Sequence, residues 1–326
     1  MAFRALDPDA AIDQLTRLVS RHRILDVVVV DNIIDNRYFT TLLPRLAELD
    51  WDVRLFYEVK ANLRDTDIEA LRAAGVAQIQ PGIESLVSSV LGLMDKGVSA
   101  VQNVRTLRDA TAAGLTVSWN WLYGFPGETP AAYEAVVDQL PDLIHLPAPQ
   151  AVTRISLERF SPHFDNPALG FADKRPSRVY DHVYRLPDDV LRDLVYVFEA
   201  PSRGLNSEQS RDLRDAVEQW RDNHPGSTLH RHDDGETITV YDRRRGRPEK
   251  DHRFSGSIWR TAYLELEHGR TPDALARRLT EHGIDCDRSH LDDWLAGLRE
   301  HGLLFEESGR CVTLATRTEP IELAAD

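Results

Sequence analysis

Residues 116–130 read TVSWNWLYGFPGETP, and this stretch decides the fold class. Its first seven residues are mostly apolar or aromatic and predict a buried strand in which Trp119 and Trp121 face opposite sides. Thr129-Pro130 is a typical helix start, and the glycines before it predict a turn. A strand, a turn and a helix in this order form the repeating unit of a parallel sheet covered by helices.

The same alternation of helix and strand extends towards the N-terminus. Asp7 and Pro8 predict the start of a first helix, and Gly75 and Gly114 predict the ends of two others. Near-continuous apolar runs predict the other strands of the series, at 25–30, 53–59, 76–80 and 154–160. Five strands separated by helices predict βα repeats. This alternation does not distinguish a barrel from a doubly wound sheet. Because a helix precedes the first of these strands, we expect a leading strand to be missing.

The pattern changes after residue 186. Residues 187–249 form a predicted connector, with helices at 188–198 and 207–221 and a β-hairpin at 229–242. Residues 250–316 predict a smaller α+β, winged-helix-like domain, with helices at 258–266, 271–280 and 289–300 and a hairpin of 303–306 with 311–314. Residues 317–326 form a tail. The predicted fold class is therefore α/β: residues 1–186 form the first domain, followed by the connector and this C-terminal domain.

Composition limits the partners and the compartment. The 326 residues carry a formal net charge of −14, so most of the surface would repel a polyanion, and no nucleic acid is expected as a partner. No signal peptide and no apolar run of the ~20 residues that a membrane span needs can be recognised. The two cysteines, Cys286 and Cys311, show no metal-ligand spacing and are expected to be reduced. The prediction is a cytoplasmic protein without a membrane partner.

Polar residues and glycines recur where successive predicted strands end, which is where α/β barrels place their functional groups. Taken singly, each has an ordinary structural explanation as a solvated strand end, a turn glycine or a first-turn carboxylate. Their shared register favours a common binding site instead, because apolar side chains would fill the same positions at lower cost. The candidates are Asp31, Asn32, Glu58, Lys60, Glu84, Ser85, Asn120, Gly124, Phe125, Gly127 and Glu128.

Three segments at this spacing resemble a known family. They are QPGIESL at 80–86, KGV at 96–98 and VSWNWLYGFPGE at 117–128. Together they are very similar to radical S-adenosylmethionine (SAM) proteins. The greatest likeness is to the cobalamin-linked group that matures ribosomally made peptides, often as C-methyltransferases. The resemblance implies a partial (β/α)6 barrel with SAM lying across the strand ends.

The resemblance also implies a role for each candidate. Residues 31–32 would lie near the methionyl amino group of SAM, and Glu58 and Lys60 would contact its methionyl or ribose part. Residues 84–85 would contact the ribose, and 120–128 would shape the adenine pocket. These assignments agree with chemistry, since an ammonium group prefers a carboxylate or amide oxygen and ribose hydroxyls prefer a carboxylate.

The family's cluster motif, CxxxCxxC, cannot be found. The family places it upstream of the helix that begins near Asp7, and this chain begins at Met1, past that point. The N-terminal cobalamin-binding domain of the group is absent as well. Two explanations are open: Met1 is an internal methionine of a longer, active protein, or the product is truncated. We therefore expect no catalytic or metal-ligating residue in this chain, with a [4Fe–4S] cluster and cobalamin only in the intact family protein.

Two functions follow from the resemblance. The first is a piece of a radical SAM peptide-maturation enzyme, with cobalamin-dependent C-methylation as the expected chemistry, inactive as it stands. The second is a non-catalytic module that binds SAM or a precursor peptide. The expected partner in both is a ribosomally synthesised precursor peptide, whose leader would be held by the C-terminal domain through an exposed wing strand.

Overall fold

The computed structural model describes residues 5–31 and 33–318. The first part of the chain alternates helices with strands. The elements are, in order, α1 (Pro8–His22), β1 (Asp26–Val28), α2 (Tyr38–Thr41), α3 (Leu43–Glu48), β2 (Arg54–Val59), α4 (Asp65–Ala73), β3 (Val76–Pro81), α5 (Ser88–Leu93), α6 (Ala100–Ala112), β4 (Thr116–Val117), β5 (Asn120–Tyr123), α7 (Ala131–Val137), β6 (Ala151–Arg154) and β7 (Leu157–Glu158).

The second part contains longer stretches of antiparallel pairing. Its elements are α8 (Pro162–Asp165), β8 (Arg175–Pro176), α9 (Asp188–Leu194), β9 (Val197–Glu199), α10 (Arg211–Asn223), β10 (Thr228–Asp233), β11 (Thr237–Arg243), β12 (Lys250–Ser255), α11 (Ser257–Leu266), α12 (Pro272–Glu281), α13 (Arg288–Glu300), β13 (Leu304–Glu307), β14 (Arg310–Thr313) and β15 (Thr316–Arg317). Three short 3₁₀ turns occur at Leu140–Asp142, Pro167–Leu169 and Arg178–His182.

The N-terminal strands form a parallel series. β1, β2, β3 and β4 pair in that order, and β5 pairs in parallel with β6. A parallel bridge between Glu84 and Trp121 joins the two groups, and the Leu122 amide donates to the Glu84 carbonyl at 2.8 Å. Because parallel strands all point the same way, their carboxyl ends meet at one edge. The predicted α/β alternation is confirmed by this order.

Local sequence signals account for the helix boundaries. The Asp7 carboxylate accepts from the amides of Asp9 and Ala10 at the start of α1, and Ser99 and Gln102 form a capping box at the start of α6. Gly75 follows α4 with φ of +83°, and a Cβ there would lie 2.7 Å from the Val53 carbonyl oxygen. Only glycine fits this turn without strain.

The predicted strand 116–122 is interrupted. β4 pairs with β3, and after β4 the chain leaves this sheet so that β5 pairs with β6 instead. Ser118, at the break, accepts hydrogen bonds from the Gln78 and Gln150 side chains. The expectation that Trp119 and Trp121 face opposite sides is wrong, because their ring centroids lie 5.8 Å apart and both side chains are buried. Residues two positions apart in a strand lie on the same face, so the spacing of these two tryptophans favours one side of the sheet.

Other boundaries also differ from the sequence prediction. The predicted helix 188–198 ends at Leu194, and the next residues form β9, which pairs with β7 and β8. The run Val195-Tyr196-Val197-Phe198 consists of β-branched and aromatic residues that favour a strand once partners are present. The predicted strand 154–160 is divided into β6 and β7, and α5 and β12 were not predicted.

The C-terminal elements pack against the N-terminal ones. β10 and β11 form the predicted hairpin, which β12 extends on one side and β15 on the other. Three helices, α11 to α13, precede the antiparallel hairpin of β13 and β14. One hydrophobic cluster runs from Ile34 to Ala315 and includes residues of both parts. No helix in the described part of the chain is long and apolar enough to cross a membrane.

Candidate functional site

A cleft of about 370 Å³ opens at the carboxyl ends of β2 and β3. Both strands contribute their last residues and the loops that follow, and the start of β5 closes one side. The lining residues are Ile33, Glu58, Val59, Lys60, Ala61, Asn62, Gln80, Pro81, Gly82, Glu84, Asp95, Lys96, Val98, Trp119 and Asn120. The cleft therefore brings together four residues that were predicted to form the site, namely Glu58, Lys60, Glu84 and Asn120.

The cleft is strongly polar. Three carboxylates, of Glu58, Glu84 and Asp95, face two ammonium groups, of Lys60 and Lys96, which leaves one net negative charge. The Lys96 Nζ donates to the Glu84 Oε1 at 3.1 Å. Both side chains keep partial contact with solvent, so this pair can exchange its bonds for bonds to a ligand.

Glu84 has an unusual backbone conformation. Its φ is +58°, a region that non-glycine residues occupy at a cost on the order of 1–3 kcal/mol. The surrounding structure holds it there: its carbonyl accepts from the Leu122 amide, and its neighbours on both sides are bound by Asn103. Such backbone strain clusters at functional sites. It fixes the direction in which the Glu84 side chain leaves the loop.

Asn103 on α6 is the residue that holds this loop. It is fully buried, and its Nδ2 donates to the Ile83 carbonyl at 3.0 Å and to the Ser85 carbonyl at 2.8 Å. It was not among the residues predicted from the sequence. The sequence contained one sign of its role: Asn103 is a polar residue of α6 whose neighbours Val101 and Val104 are apolar and buried.

Ser85 lies inside the protein rather than at the cleft. It is fully buried, and its hydroxyl accepts from the Val87 amide at 3.1 Å. This bond shapes the turn between Glu84 and α5. The predicted contact of Ser85 with ribose stays a prediction, and the named lining residues do not include this side chain.

Asp31 lies at the end of the first predicted strand and is exposed. Burial raises the pKa of the Tyr57 hydroxyl, and the negative charge of the Asp31 carboxylate raises that pKa further. Asp31 therefore lies close enough to Tyr57 for the two groups to interact electrostatically. Asp31 is not one of the cleft-lining residues named above. Asn32, its predicted partner, lies outside the described residues.

The four candidates after β5 form a separate cluster, the 124–128 turn. The Glu128 carboxylate accepts from the Gly124 amide, from the Tyr133 hydroxyl at 2.8 Å and from the Leu205 amide at 2.9 Å. Phe125 is buried, with its ring centroid 5.3 Å from that of His163. In this conformation Glu128 organises the turn and binds the strap 200–206 to it.

The strap closely covers the turn. A Cβ on Gly204 would lie 2.4 Å from the Phe125 carbonyl oxygen and 2.5 Å from the Gly124 carbonyl carbon. A side chain on Gly124 would meet Arg154, whose guanidinium donates to the Leu205 carbonyl at 3.1 Å. The glycines therefore permit close contact between two loops of the protein. Their predicted contact with adenine stays a prediction.

A [4Fe–4S] cluster does not fit the residues that the structure describes. Such a cluster is held by cysteine thiolates. Cys286 precedes α13 and Cys311 lies on β14, and both are free thiols. Burial raises the pKa of both, that of Cys311 to about 11, which disfavours the thiolate. Across residues 5–31 and 33–318 no three His, Cys, Asp or Glu side chains are grouped so that they could hold a metal ion.

The part of the chain that contains the cleft is similar to a known family. Residues 2–140 match the model of the radical SAM superfamily. No curated protein matches the chain.

Three solved structures align with parts of this chain. The radical SAM methyltransferase TsrM from Kitasatospora setae is 19% identical, with a TM-score of 0.40 over 47% of this chain and 29% of TsrM. The cobalamin-dependent SAM radical enzyme OxsB is 14% identical, with a TM-score of 0.46 over 68% of this chain and 38% of OxsB. Coproporphyrinogen III oxidase (HemN) from Escherichia coli is 11% identical, with a TM-score of 0.40 over 94% of this chain and 79% of HemN.

This chain therefore spans less than a third of the length of TsrM and well under half that of OxsB. All the residues that line the cleft, from Ile33 to Asn120, fall within the segment that matches the family. Residues 2–140 are thus similar to the radical SAM superfamily model, and the candidate ligand cleft lies within that matched segment.

Proposed function

We propose that the cleft binds S-adenosylmethionine. One observation supports this most. Candidate residues predicted from the sequence at the ends of β2 and β3 and at the start of β5 line a single cleft, and this cleft lies in the segment that matches the radical SAM model. Parallel α/β folds bind their ligands at this end of the strands.

The charges of the cleft suit this ligand. At neutral pH, SAM carries a sulfonium, an ammonium and a carboxylate, and thus one net positive charge. The cleft carries one net negative charge, so ligand and site attract each other. Glu84 would accept from the ribose hydroxyls, Glu58 would accept from the ammonium group, and Lys96 would hold the carboxylate. Asn120 and Gln80 would supply amide donors and acceptors.

Calorimetric titration of the full chain with SAM tests this proposal. We expect Glu84→Gln to weaken binding about tenfold, because a charge-assisted hydrogen bond to ribose is lost. Glu69→Gln is the matched control, since Glu69 is an exposed carboxylate on α4 that does not line the cleft. S-adenosylhomocysteine, which lacks the sulfonium charge, should bind more weakly than SAM. Equal affinity of the wild type and both variants would contradict the proposal.

The finer function is a proposal that rests on the resemblance of the sequence. We propose that the chain is part of a cobalamin-dependent enzyme that C-methylates a ribosomally made peptide. In that family a reduced cluster supplies the electron that cleaves SAM. Because the residues described here do not fit a cluster, no catalytic step is assigned to them. What they can do is bind and orient SAM.

For a precursor peptide we propose a binding place other than the wing strand that the sequence suggested. We propose that the winged-helix unit consists of the helices α11 to α13 and the β13–β14 hairpin. Both outer edges of the hairpin bind to the protein itself: Gln139 exchanges two hydrogen bonds with the Glu306 backbone, and Arg270 exchanges two with Cys311. β12 ends the order of the four-stranded sheet and offers an edge instead. The precursor peptide is therefore proposed to pair with β12.

Selection of a phage-displayed peptide library against the full chain tests this second proposal. Enriched peptides should slow hydrogen exchange of the amides of β12, residues 250–255. Protection of the β13–β14 hairpin instead, or a selection without enrichment, would contradict pairing at β12.

A further inference from the structure

Ser88, the first residue of α5, is a junction of three elements. Its amide donates to the Glu307 Oε1 at 3.0 Å, and its hydroxyl donates to the Glu307 Oε2. The same hydroxyl accepts from the amide of Ala100, the first residue of α6, at 3.0 Å. Glu307 is the last residue of β13, so the C-terminal hairpin reaches the starts of both helices.

This junction joins the two sides of the segment 84–100, because Ser88 lies near its start and Ala100 is its last residue. The segment leaves the sheet at Glu84, passes through α5 and a turn, and returns at the start of α6. It carries both members of the ion pair in the cleft, Glu84 and Lys96. Only three residues separate Glu84 from Ser88, so a shift of Ser88 would be transmitted to the strained backbone of Glu84.

The hairpin provides a firm support for this contact. The Arg108 guanidinium on α6 is buried and donates at 2.7 Å to the carbonyl of Thr313, the last residue of β14. Gln139 fixes the backbone of Glu306 beside it. Glu307 therefore leaves a strand that is anchored on both sides, and its carboxylate has a defined position.

We propose that Glu307 is a positioning residue for the ligand cleft. It acts through Ser88, which sets the spacing of the two ends of the segment 84–100 and thereby the geometry of Glu84 and Lys96. The inference rests on the proposed binding of SAM in this cleft. It gives the C-terminal part of the chain a role in the affinity of the N-terminal domain.

Two measurements on the full chain test the proposal: the dissociation constant of SAM by calorimetry, and hydrogen exchange of the amides in 84–100 without ligand. Glu307→Ala should weaken SAM binding about tenfold and speed this exchange. Glu307→Gln, which can still accept from the Ser88 amide, should restore most of the affinity. Glu306→Ala is the matched control, because the neighbouring Glu306 side chain pairs with Arg299 and does not touch Ser88.

A double-mutant cycle separates positioning from general loss of stability. In a Ser88→Ala background, Glu307→Ala should have much less further effect on SAM affinity, because its contact is already removed. Full additivity, or an equal loss of affinity in Glu306→Ala, would overturn the proposal. If the wild type binds no SAM, the proposed function fails, and exchange alone decides: faster exchange of 84–100 in Glu307→Ala supports positioning, and unchanged exchange overturns it.

Discussion

Lys96 and Glu84 line the candidate ligand cleft, and their partial exposure determines what they can do. The Lys96 side chain is 34% exposed and that of Glu84 is 24% exposed. Ion pairs with this much solvent contact contribute about 0–1 kcal/mol to stability. The pair can therefore open towards a ligand at little cost, and the two charges are then available for groups of opposite charge.

Lys96→Met keeps most of the length of the side chain and removes its charge. We expect SAM to bind about tenfold more weakly, because the methionyl carboxylate loses its cation. Decarboxylated SAM, which lacks that group, should bind the variant and the wild type with similar affinity. Titration of both ligands checks this, and an equal loss for both would show that Lys96 does not contact the carboxylate.

The two cysteines define a further expectation at this scale. A [4Fe–4S] cluster needs three or more thiolates in this family, and the 326 residues contain only Cys286 and Cys311. After anaerobic reconstitution with iron and sulfide, we expect the purified chain to show no charge-transfer absorbance of an iron–sulfur cluster and no stoichiometric iron and sulfide. A stoichiometric cluster, measured by iron and sulfide content, would contradict the assignment.

At the scale of elements, the contact between the strap 200–206 and the 124–128 turn depends on the absence of a side chain at Gly204. The two loops approach so closely that a Cβ would overlap backbone atoms, which cannot move aside as a flexible side chain can. Glu128 adds a hydrogen bond to the Leu205 amide. The turn after β5 and the segment before α10 therefore form one unit.

Gly204→Ala should separate these two loops. We expect the free energy of unfolding to fall by about 2–3 kcal/mol, because the strap must shift and buried polar groups lose their partners. Denaturation by urea measures this. Gly297→Ala is the control: Gly297 lies inside α13 with open space around its Cα, so alanine should stabilise the chain by about 0.5–1 kcal/mol. A neutral Gly204→Ala would show that the strap is not held as described.

At the scale of the whole molecule, buried polar groups join the N-terminal and C-terminal parts. Arg244 is fully buried, is paired with Asp242, and donates to the carbonyls of Asp142 and Gly302. His145 lies in the same region and contacts the Leu314 carbonyl through Nε2 at 2.9 Å, while its Nδ1 has no partner in the described structure. Adding a proton to this histidine would place an unpaired charge in the core.

His145 should therefore make stability depend on pH. Burial lowers its pKa to about 3, and the positive charge of Arg244 adds to the effect. In the unfolded chain the group takes up a proton near its ordinary pKa of 6.5, so stability is complete above pH 6.5 and falls as the pH decreases towards 3. At pH 5 the loss from this group is about 2 kcal/mol.

Urea denaturation between pH 7 and 5 measures this dependence. His145→Gln, which keeps a donor for the Leu314 carbonyl, should lower the slope of stability against pH by about one proton. His290→Gln, on the exposed side of α13, is the control and should leave the slope unchanged. An unchanged slope in His145→Gln would contradict the assignment.

Much of this protein could be predicted from its sequence, because the signals are local. The cap at Asp7, the glycine after α4 and the apolar runs of β2 and β3 depend on neighbours within a few residues, so helices and strands were found near their observed places. The order of βα units also predicts that strand ends meet. For that reason Glu58, Lys60, Glu84 and Asn120 could be grouped in advance.

Only the tertiary structure decided which of the candidates share a cleft and what supports them. Ser85 and Glu128 carry side chains suited to ligand binding, yet both accept hydrogen bonds from the protein itself. Backbone amides after Ser85 and in the strap lie within hydrogen-bonding distance of these side chains. Asn103 and Glu307 act across 18 and 219 residues of sequence, a separation at which spacing carries no information. Local sequence determines which elements form, whereas contacts between distant elements determine which polar groups remain free for a ligand.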